Sequence, residues 1–73
     1  MEIITKRIAD TIEDSDITIK EIAKKLGCST KQITRWKKGE AEMGIYKLKI
    51  FCEILDVSAD YIVGITDNPK SKK

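Results

Sequence analysis

Apolar side chains recur at helical spacing along almost the whole chain. Ile4, Ile8 and Ile12 stand four residues apart, which places them on one stripe of a first helix over about residues 2–13. The polar run Glu-Asp-Ser-Asp then ends this pattern. Because no segment alternates apolar and polar residues as a half-buried strand would, the pattern predicts an all-α protein.

Two short helices follow, and each has its own start and stop signals. Thr18 and Glu21 fit a capping box, in which the threonine hydroxyl accepts from the backbone N–H three residues on and the glutamate reaches back. Gly27 ends this helix, because glycine adopts the left-handed conformation without a steric penalty. Ser29 is a good N-cap for a third helix, which Gly39 ends. The apolar positions that these two helices are expected to bury are Ile22, Ala23, Leu26, Ile33 and Trp36.

The second half of the chain predicts two more helices and a tail. A fourth helix is expected over about residues 45–55, and Ser58 caps a short fifth helix with Asp60 in its first turn. The expected core positions here are Leu48, Phe51, Cys52, Leu55, Tyr61 and Ile62. After Ile65 the apolar pattern stops and Pro69 interrupts the chain, which favours a frayed end. We therefore expect one compact five-helix bundle over residues 1–66 and a flexible basic tail over residues 67–73.

The second and third predicted helices, at about residues 19–26 and 30–37, form a helix-turn-helix around Gly27. If Ile33 and Trp36 face the core, a rotation of about 100° per residue decides what the other side of the third helix carries. The residues on or beside that outer face are Thr30, Lys31, Thr34, Arg35 and Lys38. Such a helix can enter the major groove of DNA, with its tip at the base edges and its cations at phosphates.

The charge distribution supports a polyanionic partner, although the net charge is only +2. Residues 17–38 carry seven basic and one acidic side chain, whereas the segments 1–16 and 39–69 are both acidic overall. An ordinary solvated surface is the alternative explanation, but it more often interleaves the two signs.

Several classes of function are disfavoured by what the sequence contains. There is no histidine, and Cys28 and Cys52 both occupy apolar helical positions, so we expect small buried thiols and no metal site. We find no nucleophile–base pair or phosphate-binding glycine loop, and therefore expect neither an enzyme nor a cofactor. No apolar run approaches ~18 residues, so we expect a cytoplasmic chain with reduced thiols and no contact with membranes.

Two blocks of the sequence resemble the phage repressor/Cro-like helix-turn-helix proteins, often called the XRE family. They are "TIKEIAKKLGCSTKQITRWKKGE" and "LKIFCEILDVSADYIVGITDNP", and the resemblance covers about residues 6–66. It implies a lambda-repressor-like five-helix bundle that binds double-stranded operator DNA, usually as a homodimer on two half-sites. A small-molecule ligand is not expected, because the chain is too short to add an effector domain.

The resemblance also implies roles for individual residues. By position, Thr30, Lys31 and Arg35 match family residues that contact base edges, and Thr34 is a secondary candidate. Those expected at phosphates are Thr18 and Lys38, with Tyr46 and Lys47 at the start of the fourth helix, where the family's backbone N–H groups often meet phosphate. The dimer contact is expected at Tyr61, Ile62, Val63 and Ile65, the alternative being that all four belong to the core.

Two departures from the family pattern change the expectations. Many relatives have a glutamine that braces the DNA contacts where this chain has Ile19, so one polar contact is missing. Lys37 replaces a glutamate that commonly pairs with an arginine of the first helix. We therefore expect a reversed pair between Lys37 and Asp10 or Glu13; the alternative is a lysine that extends along Trp36 into solvent.

The leading hypothesis is a sequence-specific transcriptional regulator that acts as a repressor. The alternative, from a different class, is an antitoxin or antirepressor that uses the same bundle to hold a protein partner. An exposed apolar patch on the fifth helix that is too large for homodimerisation would favour the alternative.

Overall fold

The computed structural model describes residues 2–70, and its regular structure is entirely helical over that range. The helices are α1 (Glu2–Asp14), α2 (Ile19–Leu26), α3 (Thr30–Lys38), α4 (Ile45–Leu55) and α5 (Ala59–Val63). These bounds lie within a residue or so of those predicted from the apolar spacing. The all-α five-helix architecture is therefore confirmed.

The helix ends form where local sequence signals place them. The hydroxyls of Thr18, Ser29 and Ser58 each accept hydrogen bonds from backbone N–H groups in the first turn of α2, α3 and α5. Gly27 and Gly39 end α2 and α3 in the left-handed conformation, with φ of 72° and 78°. The Thr18 hydroxyl accepts from the N–H of Glu21, but the reciprocal bond of a capping box is absent from the described residues. Half of the predicted box is therefore formed.

The core lies where all five helices meet. Ile22, Ile33, Phe51 and Ile62 have no exposed surface, and Ile8, Ile12, Ala23, Leu26, Trp36, Cys52 and Val57 are also buried. Helix α1 packs against α3 and α5, and α2 packs against α3 and α4. Leu48, Leu55 and Tyr61, which were expected inside, pack at the edge of the core and are partly exposed. The small bundle therefore holds α3 through contacts with both α1 and α2.

The segment after α5 is fixed at several points, although the sequence predicted a frayed end. The backbone N–H of Ser58 donates to the carbonyl of Pro69 at 2.9 Å. Arg7 donates to the carbonyl of Thr66 at 2.8 Å and to the carboxylate of Asp67 at 3.0 Å. This order comes from contacts with residues far away in sequence, which an absent apolar pattern does not reveal. Residues 71–73 of the expected tail lie outside the described residues, so the division at residue 67 stays a prediction.

Both cysteines are free thiols. Cys52 is buried and Cys28 is partly buried against the core. Burial raises the pKa of both thiols above the ordinary value. Each side chain therefore stays protonated at neutral pH and packs as a small apolar group, as the sequence predicted.

Candidate nucleic-acid interface

Helix α3 is anchored on one side by two large apolar residues. Ile33 is fully buried and Trp36 is 5% exposed. The indole Nε1 of Trp36 is buried without a hydrogen-bond partner among residues 2–70, so apolar packing is what holds this side chain. At the end of α3, a side chain at Gly39 would lie 3.3 Å from the Thr5 hydroxyl oxygen, which shows how closely this turn approaches α1. The orientation of α3 is thus set by its inner face and its C-terminal turn.

A third anchor is the ion pair between α3 and α1. The Nζ of Lys37 lies 3.5 Å from Oε2 of Glu13, and the Lys37 side chain is 23% exposed. Asp10, the other carboxylate considered for this role, is held instead by Lys6 at 2.9 Å. The predicted reversed pair is therefore present, with Glu13 as its acid. It ties α3 to α1 through a lysine at the position where the family resemblance implied a glutamate.

The outer face of α3 presents the basic side chains that the helical rotation predicted. Lys31, Arg35 and Lys38 are exposed, as is Thr30 at the N-terminal end. None of these three cations pairs with a carboxylate within the part of the chain that the structure describes. Their charges are therefore available to a ligand. The outer face of α3, from Thr30 to Lys38, is called the basic face below.

Two of the three threonine hydroxyls expected at DNA already make local hydrogen bonds. Thr34 is partly buried, and its hydroxyl donates to the carbonyl of Thr30 at 3.2 Å. It keeps its acceptor lone pairs but has no free proton in this geometry. Thr18 is exposed, and its hydroxyl accepts from the N–H of Glu21 at 3.1 Å. Because that bond uses a lone pair, the Thr18 hydroxyl proton remains available to a phosphate oxygen.

The start of α4 differs from those of α2, α3 and α5 in having no side-chain cap. Gly44 occupies the N-cap position, so the first backbone N–H groups of α4 have no side-chain acceptor there. Tyr46 is 82% exposed. Lys47, in contrast, folds back and donates from Nζ to the carbonyl of Leu26 at the end of α2. Lys47 has two more N–H donors, but its main role in the structure is to join α2 to α4.

Ile19 stands where the family resemblance implied a glutamine. It is partly buried and packs against the core. The side chain thus stabilises the start of α2 by apolar contact and offers no hydrogen bond to a ligand.

The four residues expected at a dimer contact do not share one environment. Ile62 is fully buried within its own protomer, so it supports a contact surface without being part of it. Tyr61 is partly buried, with the Arg7 guanidinium 4.2 Å from its ring centroid. Val63 and Ile65 are exposed, at 36% and 75%. The expected place of Ile62 in a dimer contact is therefore corrected. Helix α5 has only about one turn and a half, and the side of it that carries Ile62 faces the core.

Arg7 is the structural residue that the sequence reasoning missed. Its Nη1 donates to the carbonyls of Tyr61 and Thr66 at 2.7 and 2.8 Å, and its Nη2 pairs with Asp67. Its side chain is 14% exposed. No clear local signal was available, because Asp10 lies three residues after Arg7 and four after Lys6 and so offered either cation a partner on the same helix.

Two further observations concern membrane-spanning helices and metal sites. Within residues 2–70, no helix combines the length and apolar character that crossing a membrane requires. In the same range, no three acidic or cysteine side chains gather closely enough to hold a metal ion.

The comparisons with known proteins agree with this geometry. The chain matches the helix-turn-helix family over residues 8–62. It is similar to the uncharacterized HTH-type transcriptional regulator YobD of Bacillus subtilis (strain 168), with 32% identity over 56 residues. That match covers 77% of this chain and 50% of YobD, so the chain spans half the length of this relative. No solved structure matches the chain significantly.

Proposed function

The chain belongs to the XRE-type helix-turn-helix family, and on that premise we propose that it is a transcriptional regulator that binds double-stranded DNA sequence-specifically. It places α3 in the major groove and represses transcription by occupying an operator. The observation that carries this proposal is the basic face of α3: its cations pair with no carboxylate within residues 2–70, while Ile33 and Trp36 on the opposite side of the same helix are buried.

The expected contacts of the residues on the basic face, to base edges or to phosphates, follow from their positions along α3. Thr30 and Lys31 lie in the first turn of α3, the end that meets base edges in this docking geometry. Arg35 can pair bidentately with a guanine, which is worth about 1–3 kcal/mol of discrimination. Lys38, at the end of α3, contributes charge to phosphate without reading sequence. Thr34 has a smaller role, because its hydroxyl proton is already used within α3.

Phosphate contacts on either side of α3 would fix the register of the protein on DNA. The Thr18 hydroxyl proton and the uncapped N-terminus of α4 both offer donors to phosphate oxygens. Tyr46 extends into solvent beside that N-terminus. Lys47 contributes less than the resemblance implied, because its ammonium is already bound to the carbonyl of Leu26.

The proposed DNA-bound state is a two-fold homodimer. Two recognition helices reach successive major grooves on one side of DNA when they lie about 34 Å apart, which requires a contact between protomers. The exposed apolar residues Val63 and Ile65 supply one on the side of α5. Such a contact is small, so we expect the free protein to be largely monomeric.

Selection of bound oligonucleotides from a random double-stranded pool tests the proposal. A two-half-site consensus is expected. On that consensus, Arg35→Ala should relax the preference at one base position, whereas Lys38→Ala should weaken all sequences about equally. Lys49→Ala is the matched control, because it removes the same charge from an exposed site on α4 that is paired with Glu53. If no sequence is enriched and all three variants bind alike, the DNA proposal fails and the antitoxin or antirepressor alternative gains support.

A further inference from the structure

The side chain of Lys47 joins the start of α4 to the end of α2. Its Nζ donates to the carbonyl of Leu26, the last residue of α2, and the side chain is partly buried. The same nitrogen would lie 3.8 Å from a Cβ placed on Gly27, the residue at which the chain turns toward α3. The ammonium of Lys47 therefore lies beside the turn of the helix-turn-helix.

The position of this ammonium is unfavourable for its own helix and favourable for α2. Lys47 lies in the first turn of α4, where the partial positive charge of the helix N-terminus disfavours a cation. The C-terminus of α2 carries the opposite partial charge, and no other donor to the Leu26 carbonyl is found within residues 2–70. No carboxylate of the described residues pairs with Lys47. The charge of Lys47 is thus directed to the end of α2.

The two elements proposed to meet DNA are connected through α2. Helix α2 packs against both α3 and α4, and only the two residues of the turn separate Leu26 from Ser29, the N-cap of α3. The bond from Lys47 to Leu26 therefore fixes the start of α4 relative to the start of α3. Resting on the proposed function, in which α3 meets base edges and the start of α4 meets phosphate, we propose that Lys47 is a positioning residue that sets the spacing of these two contacts and so the selectivity for sequence.

A positioning role and a phosphate contact predict different losses when Lys47 is replaced. A lysine that neutralises a phosphate adds to the affinity for every sequence and to the salt dependence of binding. A lysine whose ammonium is held by the Leu26 carbonyl instead keeps α3 where its side chains meet base edges while the start of α4 meets phosphate. Its removal therefore weakens binding to the preferred sequence and leaves binding to unrelated sequences almost unchanged.

Lys47→Met is the first test, because methionine keeps an unbranched stem and removes the ammonium. Affinity is measured for the selected consensus and for a random-sequence duplex of the same length, each at several salt concentrations. We expect about tenfold weaker binding to the consensus, the same affinity for the random duplex, and an unchanged slope of log affinity against log salt. Lys49→Met is the matched control, since it removes the same charge from an exposed site of the same helix that is paired with Glu53. It should keep the affinity ratio of the unmodified protein.

Three readouts separate positioning from a general loss of stability. The ratio of the two affinities does not depend on the fraction of folded protein, so global destabilisation alone would leave it unchanged. Lys47→Arg restores a charged donor at the same position and should recover part of the ratio. Hydrogen exchange without DNA reports on the turn directly, because the amide of Cys28 donates to the carbonyl of Ala23 at 3.0 Å and should lose protection in Lys47→Met but not in Lys49→Met.

The outcomes separate this inference from the proposed function. An unchanged affinity ratio in Lys47→Met, no recovery in Lys47→Arg, or unchanged exchange at Cys28 would overturn the positioning role. Equal losses on both duplexes, with a salt slope lower by about one, would show a phosphate contact instead and would also overturn it. In each case the unmodified protein would still prefer its consensus, so the DNA-binding proposal would stand. If the unmodified protein bound the random duplex as tightly as any selected sequence, the proposed function would fail, and this inference with it.

Discussion

Replacement of Arg7 by methionine should destabilise the whole domain, although Arg7 is not part of the apolar stripe of α1. Methionine keeps much of the apolar stem but removes every donor. The carbonyl of Thr66 then loses its side-chain donor in a partly buried place, and the carbonyl of Tyr61 keeps only the N–H of Gly64 at 3.2 Å. The ring of Tyr61 also loses the guanidinium above it. The turn that carries Val63 and Ile65 would no longer be tied to α1.

The size of the effect follows from these contacts. A hydrogen bond from a charged donor contributes about 1.5–3 kcal/mol, and an acceptor left unpaired adds to the loss. The pair with Asp67 contributes little, because that carboxylate is 98% exposed. Two such bonds in a partly buried place, taken at the low end of that range, correspond to about 3 kcal/mol. A domain of this size loses roughly 4–8 °C in Tm for each kcal/mol, so Tm should fall by about 12–24 °C. Arg7→Lys, which keeps the charge but not the fork of donors, should fall between the two proteins.

Thermal and urea unfolding followed by circular dichroism measure this effect. The control is Lys6→Met, which removes the neighbouring charge from an exposed pair with Asp10 and should leave Tm unchanged within error. Hydrogen exchange gives a local readout, because the amide of Ile65 donates to the carbonyl of Asp60 at 2.8 Å and should lose protection in Arg7→Met. Equal Tm values for Arg7→Met and Lys6→Met would refute the conclusion that Arg7 holds α5 and the turn after it.

Three more predictions follow from the structure. Affinity of the dimer for its operator should fall steeply with salt, with a log–log slope on the order of −6 to −9, as measured by titration between low and moderate salt; a slope near zero would contradict an electrostatic interface. A double-mutant cycle of Lys37→Met with Glu13→Gln should give a coupling of about 0.3–1 kcal/mol, small because Glu13 is 65% exposed, whereas the same cycle with Asp10→Asn should give none. Both thiols should react slowly with iodoacetamide at neutral pH, because burial raises the pKa of each, and Cys52 should react more slowly than the less buried Cys28; fast labelling of Cys52 would mean that α4 opens readily.

The sequence by itself determined the five helices and the outer face of α3. The ends of α2 to α5 depend on contacts between residues at most five positions apart, such as the Ser29 hydroxyl with the N–H of Gln32 or the left-handed turn at Gly39. The basic face follows from helical geometry once Ile33 and Trp36 are placed inside. Local hydrogen bonding and a fixed rotation per residue can both be read along the chain, so these predictions needed no knowledge of the packing.

Other features were decided by the tertiary structure alone. Arg7 meets carbonyls more than fifty positions away, and Lys47 turns back to the end of α2 instead of extending toward a ligand. Ile62 and Ile65 are both isoleucines near the chain end, yet one is fully buried and the other is 75% exposed. Residue type cannot distinguish these cases, because each depends on which distant surface lies opposite the side chain. The apolar recess lined by Ile4, Trp36 and Leu48 arises in the same way, because residues of α1, α3, the 39–43 loop, α4 and α5 form it only after the helices have packed together.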